Sequence, residues 1–334
     1  MKKRIISLLL VVVLLFSYAS VTSLALNDLS NLTVSIPSVR EVSAGVYINE
    51  TVENNIHRAS IDSSSISKVR ELIATDECGA LDLCRDVLIA LGLSEQTIES
   101  LTDAEILSKF TDYLEMTVEV KHIRVGEDGM ETILSEEECL EQAAIAEAQR
   151  MEYIESRINL FMNQDIEGRD SSGGSRGSIN DGYDVKTDAY MRITTESNYI
   201  VHTLIGGEKG WYDFIGTFEW LSTPSARQVD ALSLYADGFL WSQNASDYQS
   251  FMNYKKLFIT LNGEFNQEVS IDKSGAYREM RTGGVFFDWE LPDDDTNFGL
   301  YAIFCYDFSF SIEGRARVAS YHSGCTFKLY TRYI

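Results

Sequence analysis

The sequence predicts an α+β fold: a small helical N-terminal unit with a β-hairpin and one long helix, then an antiparallel, jelly-roll-like β-sandwich. Three observations support this fold class. Residues 211–220, WYDFIGTFEW, alternate aromatic and polar side chains, as a strand with one buried face does. Residues 66–114 and 140–161 carry apolar side chains at helical steps of three and four. A Ser- and Gly-rich run at residues 167–179 separates the two patterns as a flexible linker.

Residues 1–25 have the pattern of a secretory signal peptide. Residues 2–4 are basic, residues 5–16 form an apolar core, and residues 23–25 supply small side chains at the cleavage positions. The apolar core is shorter than a membrane span requires. The sequence therefore predicts a secreted protein with no stable membrane insertion after cleavage.

The chain is strongly acidic. Its formal net charge is −23, from 28 Lys and Arg against 51 Asp and Glu. Nucleic-acid binding requires a cationic surface, so this class of function is disfavoured. A cationic partner, a metal ion or a neutral glycan remains compatible with the charge. The simplest interpretation is that the acidity keeps an exported protein in solution.

The cysteine count is odd, at five, so at least one thiol is unpaired within the chain or bonds to another chain. Export permits disulfides. Cys78 and Cys84 either form a bridge across a helix break or stay reduced, with Cys84 and Cys139 as core thiols. For Cys305 and Cys325, a bridge and two free thiols both fit the sequence.

Residues 26–166 are the predicted helical N-terminal domain. Residues 26–60 show no sustained period, which indicates a loosely attached arm with a short strand near residues 46–48. Short helices follow, with caps at the serines of residues 63–65 and a capping box at Thr102. Within this unit, the run LGLSEQTIESLTDAEILSKF resembles runs in exported proteins of Gram-positive bacteria that have no assigned role. The resemblance supports export and implies no activity.

A hairpin and a long helix complete this domain. Residues 117–125 and 130–134 flank an Asp-Gly turn, which predicts a β-hairpin. Ser135 then caps a helix over residues 135–163. Its apolar stripe predicts packing along the β body, and the alternative is self-association as a coiled-coil-like arm. The stripe consists of Leu140, Ala144, Ala148, Met151, Ile154, Ile158 and Phe161.

Residues 180–334 are the predicted β-sandwich domain. Short alternating runs separated by polar turns are typical of such folds. In residues 300–312 the even positions are apolar throughout, which predicts a strand with one buried face. Glu313 and Gly314 predict a two-residue hairpin turn into a further strand at residues 315–322.

The sequence offers no convincing catalytic set. A G-x-S-x-G match at residues 173–177 lies in the linker, without the strand and helix that a nucleophile elbow requires. The four histidines show no metal-binding spacing. The strand acids Asp213, Glu219, Asp288 and Glu290 suit glycoside hydrolysis only if two of them face a common groove.

Two tryptophans and one acidic loop are the candidate binding residues. Trp211 follows a Gly-rich run and Trp241 precedes Ser-Gln-Asn, so rings at these loop edges would stack on a sugar or contact a protein. Asp293, Asp295 and Asn297 place oxygen ligands at alternate positions, as a Ca²⁺ loop does. The spacing is not that of an EF-hand, and a solvated acidic turn is the alternative.

Together these patterns predict a secreted, non-enzymatic binding or interaction protein of the extracellular space or cell surface, with a protein or glycan partner. A secreted glycan-active hydrolase using strand carboxylates is the first alternative. A membrane-active secreted factor, in which the long helix rearranges, is the second, although membrane-surface helices are usually basic. Ca²⁺ is the single cofactor that the sequence suggests.

Overall fold

The computed structural model describes residues 37–43, 45–111, 113–126, 130–167, 188–200, 210–224, 229–236, 239–260, 262–273, 279–281, 284–297, 301–318 and 329–333. Within these ranges the chain is a mixed α and β fold dominated by a large antiparallel sheet. The predicted signal peptide, nearly all of the predicted linker and Cys325 lie outside the described residues.

The helices begin at local capping signals. Asp62 caps α1 by accepting a hydrogen bond from the Ser65 backbone N–H at 2.7 Å, so the cap precedes the predicted serines. Ser94 caps α3, and Thr102 with Glu105 forms the predicted capping box of α4. The described helices are α1 (Ser63–Thr75), α2 (Glu77–Leu91), α3 (Glu95–Ser100), α4 (Asp103–Thr111) and α5 (Glu136–Glu167).

The strands of the first half are β1 (Ser38–Ser43), β2 (Val46–Glu53), β3 (Ile56–Ile61), β4 (Tyr113–Val125) and β5 (Glu131–Leu134). The later strands are β6 (Ala189–Ile200), β7 (Trp211–Trp220), β8 (Val229–Ala236), β9 (Phe239–Trp241), β10 (Tyr248–Thr260), β11 (Gly263–Asp272), β12 (Glu279–Arg281), β13 (Gly284–Glu290), β14 (Asp295–Asn297), β15 (Tyr301–Val318) and β16 (Leu329–Tyr333). A 3₁₀ turn at Ala245–Asp247 precedes β10.

The large sheet has the strand order β1-β2-β3-β4-β6-β7-β15-β10-β11, and β5, β9 and β14 pair with its members. β4 precedes the predicted linker and β6 follows it, yet the two strands pair from Tyr113 opposite Ile200 to Val125 opposite Ala189. Main-chain hydrogen bonds therefore join both predicted domains in one sheet. The boundary at residues 167–179 stays a prediction about the connecting segment.

A second sheet, in the order β12-β13-β8-β16, shares a hydrophobic core with the large one. The core takes Phe214 and Phe218 from β7, Phe310 from β15, and Leu234 and Trp289 from the second sheet. β7 has the predicted bounds, and its even positions bury their aromatic side chains as the alternation predicted. The odd positions of β7 point to the other face of the large sheet, which the helices cover.

The predicted loose arm is instead part of the sheet over the residues that the structure describes. β1, β2 and β3 pair with one another, and β3 pairs with β4. Val46, Ile48, Ala59 and Ile61 are buried in a core with α1 to α4. The prediction was wrong because each strand is short and contributes few apolar residues, too few to reveal a period.

α5 packs within the chain, as predicted, and the predicted stripe is right at Ile154 and Ile158 but wrong in the first half of the helix. Leu140 and Met151 of the predicted stripe are 39% and 43% exposed. The buried side chains are Cys139, Ala143, Arg150 and Ile154. Arg150 lies in the middle of this face, where its Nη2 donates to the backbone oxygen of Cys305 at 2.8 Å. A stripe chosen by apolarity alone excludes an arginine, and it therefore includes Leu140 and Met151 in place of the buried Cys139 and Arg150.

β15 is one continuous strand, so the predicted hairpin turn at Glu313 and Gly314 is wrong. Both residues pair inside the sheet, opposite Ile215 and Phe214 of β7. A Cβ at Gly314 would lie 2.7 Å from the ring of Trp241, so glycine serves close packing here and not a turn.

The predicted single apolar face of β15 is also interrupted. Asp307 has a φ of 53°, and the register against β10 shifts next to it, which marks a β-bulge. Before the bulge Phe304 packs in a cluster with Ile154 of α5, and after it Phe310 enters the core between the sheets. One extra residue therefore sends the even positions to opposite faces.

Candidate functional site

A row of polar side chains crosses the helix-covered face of the large sheet. Asn198 of β6 lies opposite Asp213 of β7, and Asp213 lies opposite Arg315 of β15. In the next row Glu196 and Glu313 flank Ile215. Since alternate strand residues share a face, all of these side chains point away from the aromatic core and toward the helices.

Asp213 and Arg315 form a two-point ion pair. Nε of Arg315 donates to Oδ1 at 2.6 Å, and Nη2 donates to Oδ2 at 3.0 Å. The Asp213 side chain is 5% exposed and the Arg315 side chain 31%, so the pair runs from the interior toward solvent. The hydrogen bond to Asp213 raises the pKa of Arg315 above its ordinary value. Arg315 also approaches Asp247 to 3.8 Å.

Helix α4 contributes a second ion pair to the same face. Lys109 Nζ donates to Oε2 of Glu196 at 2.9 Å, and both side chains are largely buried. Tyr113 of β4 lies among the same charges, and burial, followed by the charges of Asp213 and Glu313, raises the pKa of its hydroxyl. We call this group the Asn198 cluster; it comprises Lys109, Tyr113, Glu196, Asn198, Asp213, Glu313 and Arg315.

Two members of the Asn198 cluster have no partner among the described residues. Asn198 is 0% exposed, and neither its amide oxygen nor its amide nitrogen makes a hydrogen bond there. Glu313 makes no hydrogen bond or ion pair within the same ranges. Burial, with the nearby charge of Asp213, raises the pKa of Glu313 to about 7. Glu313 is only partly buried, but a fully buried amide without partners is rare in folded proteins and calls for an explanation.

Further along the same face, Glu219 and Arg192 form a second polar network. Glu219 accepts hydrogen bonds from Ser94 at 2.8 Å, Thr97 at 2.7 Å and Arg192 at 3.2 Å. Arg192 also donates through Nε to Nε2 of His122 at 3.3 Å. Burial, assisted by the charge of Arg192, lowers the pKa of His122 to about 4. These contacts tie the N-cap of α3 to the sheet and look structural, because each group has a protein partner.

Trp211 lies beside the Asn198 cluster, in the next row of the same face, whereas Trp241 lies on the opposite face, in the core. Trp241 is 7% exposed and packs at 5.6 Å from the ring of Phe214, so its ring does not lie at an exposed loop edge. Its indole N–H has no partner among the described residues. Trp211 is partly exposed, with the guanidinium of Arg317 at 5.7 Å from its ring centroid. Ligand binding by Trp211 and Trp241 stays a prediction.

The acidic loop makes protein contacts of its own. Asp295 accepts a hydrogen bond from the Tyr301 hydroxyl at 2.9 Å, and Asn297 pairs with the same residue across β14 and β15. The backbone oxygen of Asp293 accepts from the Cys305 thiol at 3.8 Å. In the described part of the chain, no three His, Cys, Asp or Glu side chains converge as metal ligands would. Calcium binding by Asp293, Asp295 and Asn297 stays a prediction.

The four strand acids divide between the two sheets. Asp213 and Glu219 lie on β7 of the large sheet, whereas Asp288 and Glu290 lie on β13 of the smaller one. The acid that lies on the same sheet face as Asp213, in the next row, is Glu313, for which the sequence predicts a turn. The one available signal was the alternation of polar residues at Arg192, Thr194, Glu196 and Asn198 of β6.

The thiols follow one of the two predicted arrangements. Cys78 is exposed, Cys84 and Cys139 are buried, and Cys78 and Cys84 do not form a bridge. Burial raises the pKa of Cys84 to about 12 and that of Cys139 to about 11. The alternatives for Cys305 and Cys325 stay open, because Cys325 lies outside the described residues.

No family model, curated protein or solved structure matches this chain. None of the helices that the structure describes has the length and apolar character of a membrane-crossing segment.

The chemistry available to the Asn198 cluster depends on its own groups. These are an unbonded amide, an unbonded carboxyl and two ion pairs, which lie between the helices and the sheet. Such a site can bind a small polar molecule by hydrogen bonds and charge.

Proposed function

We propose that this protein is a secreted, non-enzymatic binding protein that holds a small polar ligand in the Asn198 cluster. The observation that carries the proposal is Asn198 itself, fully buried with both amide atoms unbonded among the described residues. A buried amide without partners costs about 1–3 kcal/mol of folding free energy. A ligand that bonds the amide would offset this cost, which gives the protein a reason to keep asparagine here.

The setting of this site belongs to the same proposal. The two sheets with their shared core would form an antiparallel, jelly-roll-like sandwich, and the signal-like residues 1–25 would direct the chain out of the cell. A second copy, an extracellular protein or a glycan would be the larger partner. The exposed apolar residues Leu140, Ile145 and Met151 of α5 favour self-association through the long helix.

The test is a crystal structure of the mature chain, residues 26–334, together with native mass spectrometry of protein purified from a secreting host. We expect non-protein density, or a bound small molecule, within hydrogen-bonding distance of Asn198 Oδ1 or Nδ2. The Asn198→Leu variant should lose it, and the matched Asn253→Leu variant, at an exposed position of β10, should keep it. An amide whose two polar atoms both bond to protein groups would contradict the proposal.

A glycan-active hydrolase is the second candidate, favoured by the presence of Glu313 and Asp213 in adjacent rows of the same sheet face. A carboxyl whose pKa is raised to about 7 beside an ionised carboxylate is the arrangement of a general acid and its partner. The ion pair with Arg315 counts against it, because both oxygens of Asp213 are already bonded. Hydrolysis of aryl glycosides that disappears in Glu313→Gln and persists in Glu290→Gln, an exposed acid on β13, would favour this candidate.

A further inference from the structure

We propose that the ligand of the Asn198 cluster carries a positively charged amino group, bound by Glu313 and oriented by the Asn198 amide. This inference rests on the proposed function and names its ligand class. It starts from the pairing of charges in the cluster. Lys109 is paired with Glu196, and Arg315 is paired with Asp213, which leaves Glu313 as the carboxyl without a cation among the described residues.

The register places the two unbonded groups on the same face. Glu196, Ile215 and Glu313 stand in one row across three strands, so the Cα atoms of Glu196 and Glu313 lie about 10 Å apart. Asn198 lies two residues further along β6, roughly 7 Å from Glu196. A compact molecule with an ammonium group at one end and a hydrogen-bonding group at the other would match this arrangement of Glu313 and Asn198.

The chemistry of the surroundings selects a cation over an anion. A ligand carboxylate or phosphate would meet three carboxyl groups, and both cations of the cluster, Lys109 and Arg315, are already committed to ion pairs. An ammonium donates up to three hydrogen bonds, and Glu313, the amide oxygen of Asn198 and the hydroxyl of Tyr113 are acceptors. Arg315 is more exposed than Asp213, its partner in the ion pair. The cluster therefore meets solvent next to Arg315.

Cation binding at Glu313 must depend on pH. The carboxyl binds an ammonium only when ionised, and its pKa in the unliganded protein is raised to about 7. Binding should therefore strengthen as pH rises through neutrality, with release of a proton from Glu313. The other charged and titratable groups that face it are Lys109 of α4, Tyr113 of β4, Glu196 of β6, Asp213 of β7 and Arg315 of its own strand.

The experiment compares matched probes by titration calorimetry on the mature chain. The pairs are ethanolamine with ethylene glycol, and glucosamine with glucose, at millimolar concentrations. We expect the amines to bind and their neutral counterparts to bind at least about tenfold more weakly, the loss of one charge-assisted contact. Ethanolamine keeps its positive charge over this range, so its affinity should rise between about pH 5.5 and about pH 8, following ionisation of the carboxyl.

Two variants assign the effect to the site. Glu313→Gln keeps the size of the side chain and should weaken amine binding about 10- to 100-fold while removing its pH dependence. Glu313→Asp keeps the charge and should retain the pH dependence if the fold, checked by circular dichroism, is unchanged. An exposed acid, Glu264→Gln on β11, is the control and should leave binding unchanged.

The outcomes separate the two proposals. If only the neutral members bind, and binding is lost in Asn198→Leu, the cation inference is overturned and the binding function stands. If amines bind equally to the native protein and to Glu313→Gln, the inference is also overturned. If no probe binds and the Asn198 amide is bonded to protein groups in a crystal structure, both proposals fail.

Discussion

Replacing Asn198 by leucine should make the ligand-free protein more stable. The amide is 0% exposed and makes no hydrogen bond among the described residues. The residue opposite Asn198 on β4 is the apolar Met116. Leucine has the same number and branching of side-chain heavy atoms and carries no polar atom to desolvate, although its two methyl groups occupy more volume than the amide. A polar side chain at a position that would be better filled by an apolar one is typical of a functional site.

The expected gain is the desolvation cost of the amide, about 1–3 kcal/mol. For a chain of this size that free energy corresponds to a rise in Tm of roughly 2–6 °C. The same substitution would abolish ligand binding, because it removes both hydrogen-bonding atoms of the side chain. Stability and binding should therefore change in opposite directions.

The assay is urea unfolding followed by tryptophan fluorescence, which reports the core between the sheets through Trp289. The control is Asn253→Leu on β10, where the side chain is exposed and the expected change is within about 0.5 kcal/mol. A loss of about 1 kcal/mol or more in Asn198→Leu, with the control unchanged, would refute the reasoning. It would mean that the amide makes hydrogen bonds that stabilise the folded chain.

Three further predictions follow from charge and burial. Asp213→Ala removes the buried end of its ion pair and leaves Arg315 without its two-point partner; this should cost about 2–4 kcal/mol in urea unfolding, less than for a fully buried pair since the arginine is 31% exposed. Glu313 has a pKa raised from 4.5 to about 7, so its favourable effect on stability is complete below about pH 4.5 and is lost as pH rises through 7; Glu313→Gln should flatten this fall. Iodoacetamide at about pH 8 should modify Cys78 in the native protein and leave Cys84 unmodified, since burial keeps the Cys84 thiol protonated, and mass spectrometry would count the labels.

The first two of these predictions have a comparison within the same chain. Lys255→Ala removes an ion pair to Asp307 whose side chains are both exposed, and should cost less than about 1 kcal/mol. His122 has a pKa lowered to about 4, so it should produce the opposite slope, with stability lost as pH falls from 6.5 through 4. Equal losses in Asp213→Ala and Lys255→Ala, unchanged slopes in Glu313→Gln, or rapid native labelling of Cys84 would contradict the respective predictions.

The sequence by itself determined the elements whose cause is local. The bounds of β7, the caps at Ser94 and Thr102, and the hairpin of β4 with β5 were all predicted, because strand alternation and capping involve residues only a few positions apart. The strands β1 to β3 were missed, since each presents too few apolar residues to show its period.

Only the tertiary structure decided which faces are covered and which distant residues meet. The bulge at Asp307 reverses the faces of β15, and Arg150 lies in the buried face of α5. Neither feature can be predicted from the spacing of apolar residues. Asp213 and Arg315 are neighbours because β7 and β15 pair, although the residues are far apart in the chain. Register between strands depends on the packing of the whole core, so the Asn198 cluster exists only once the chain has folded.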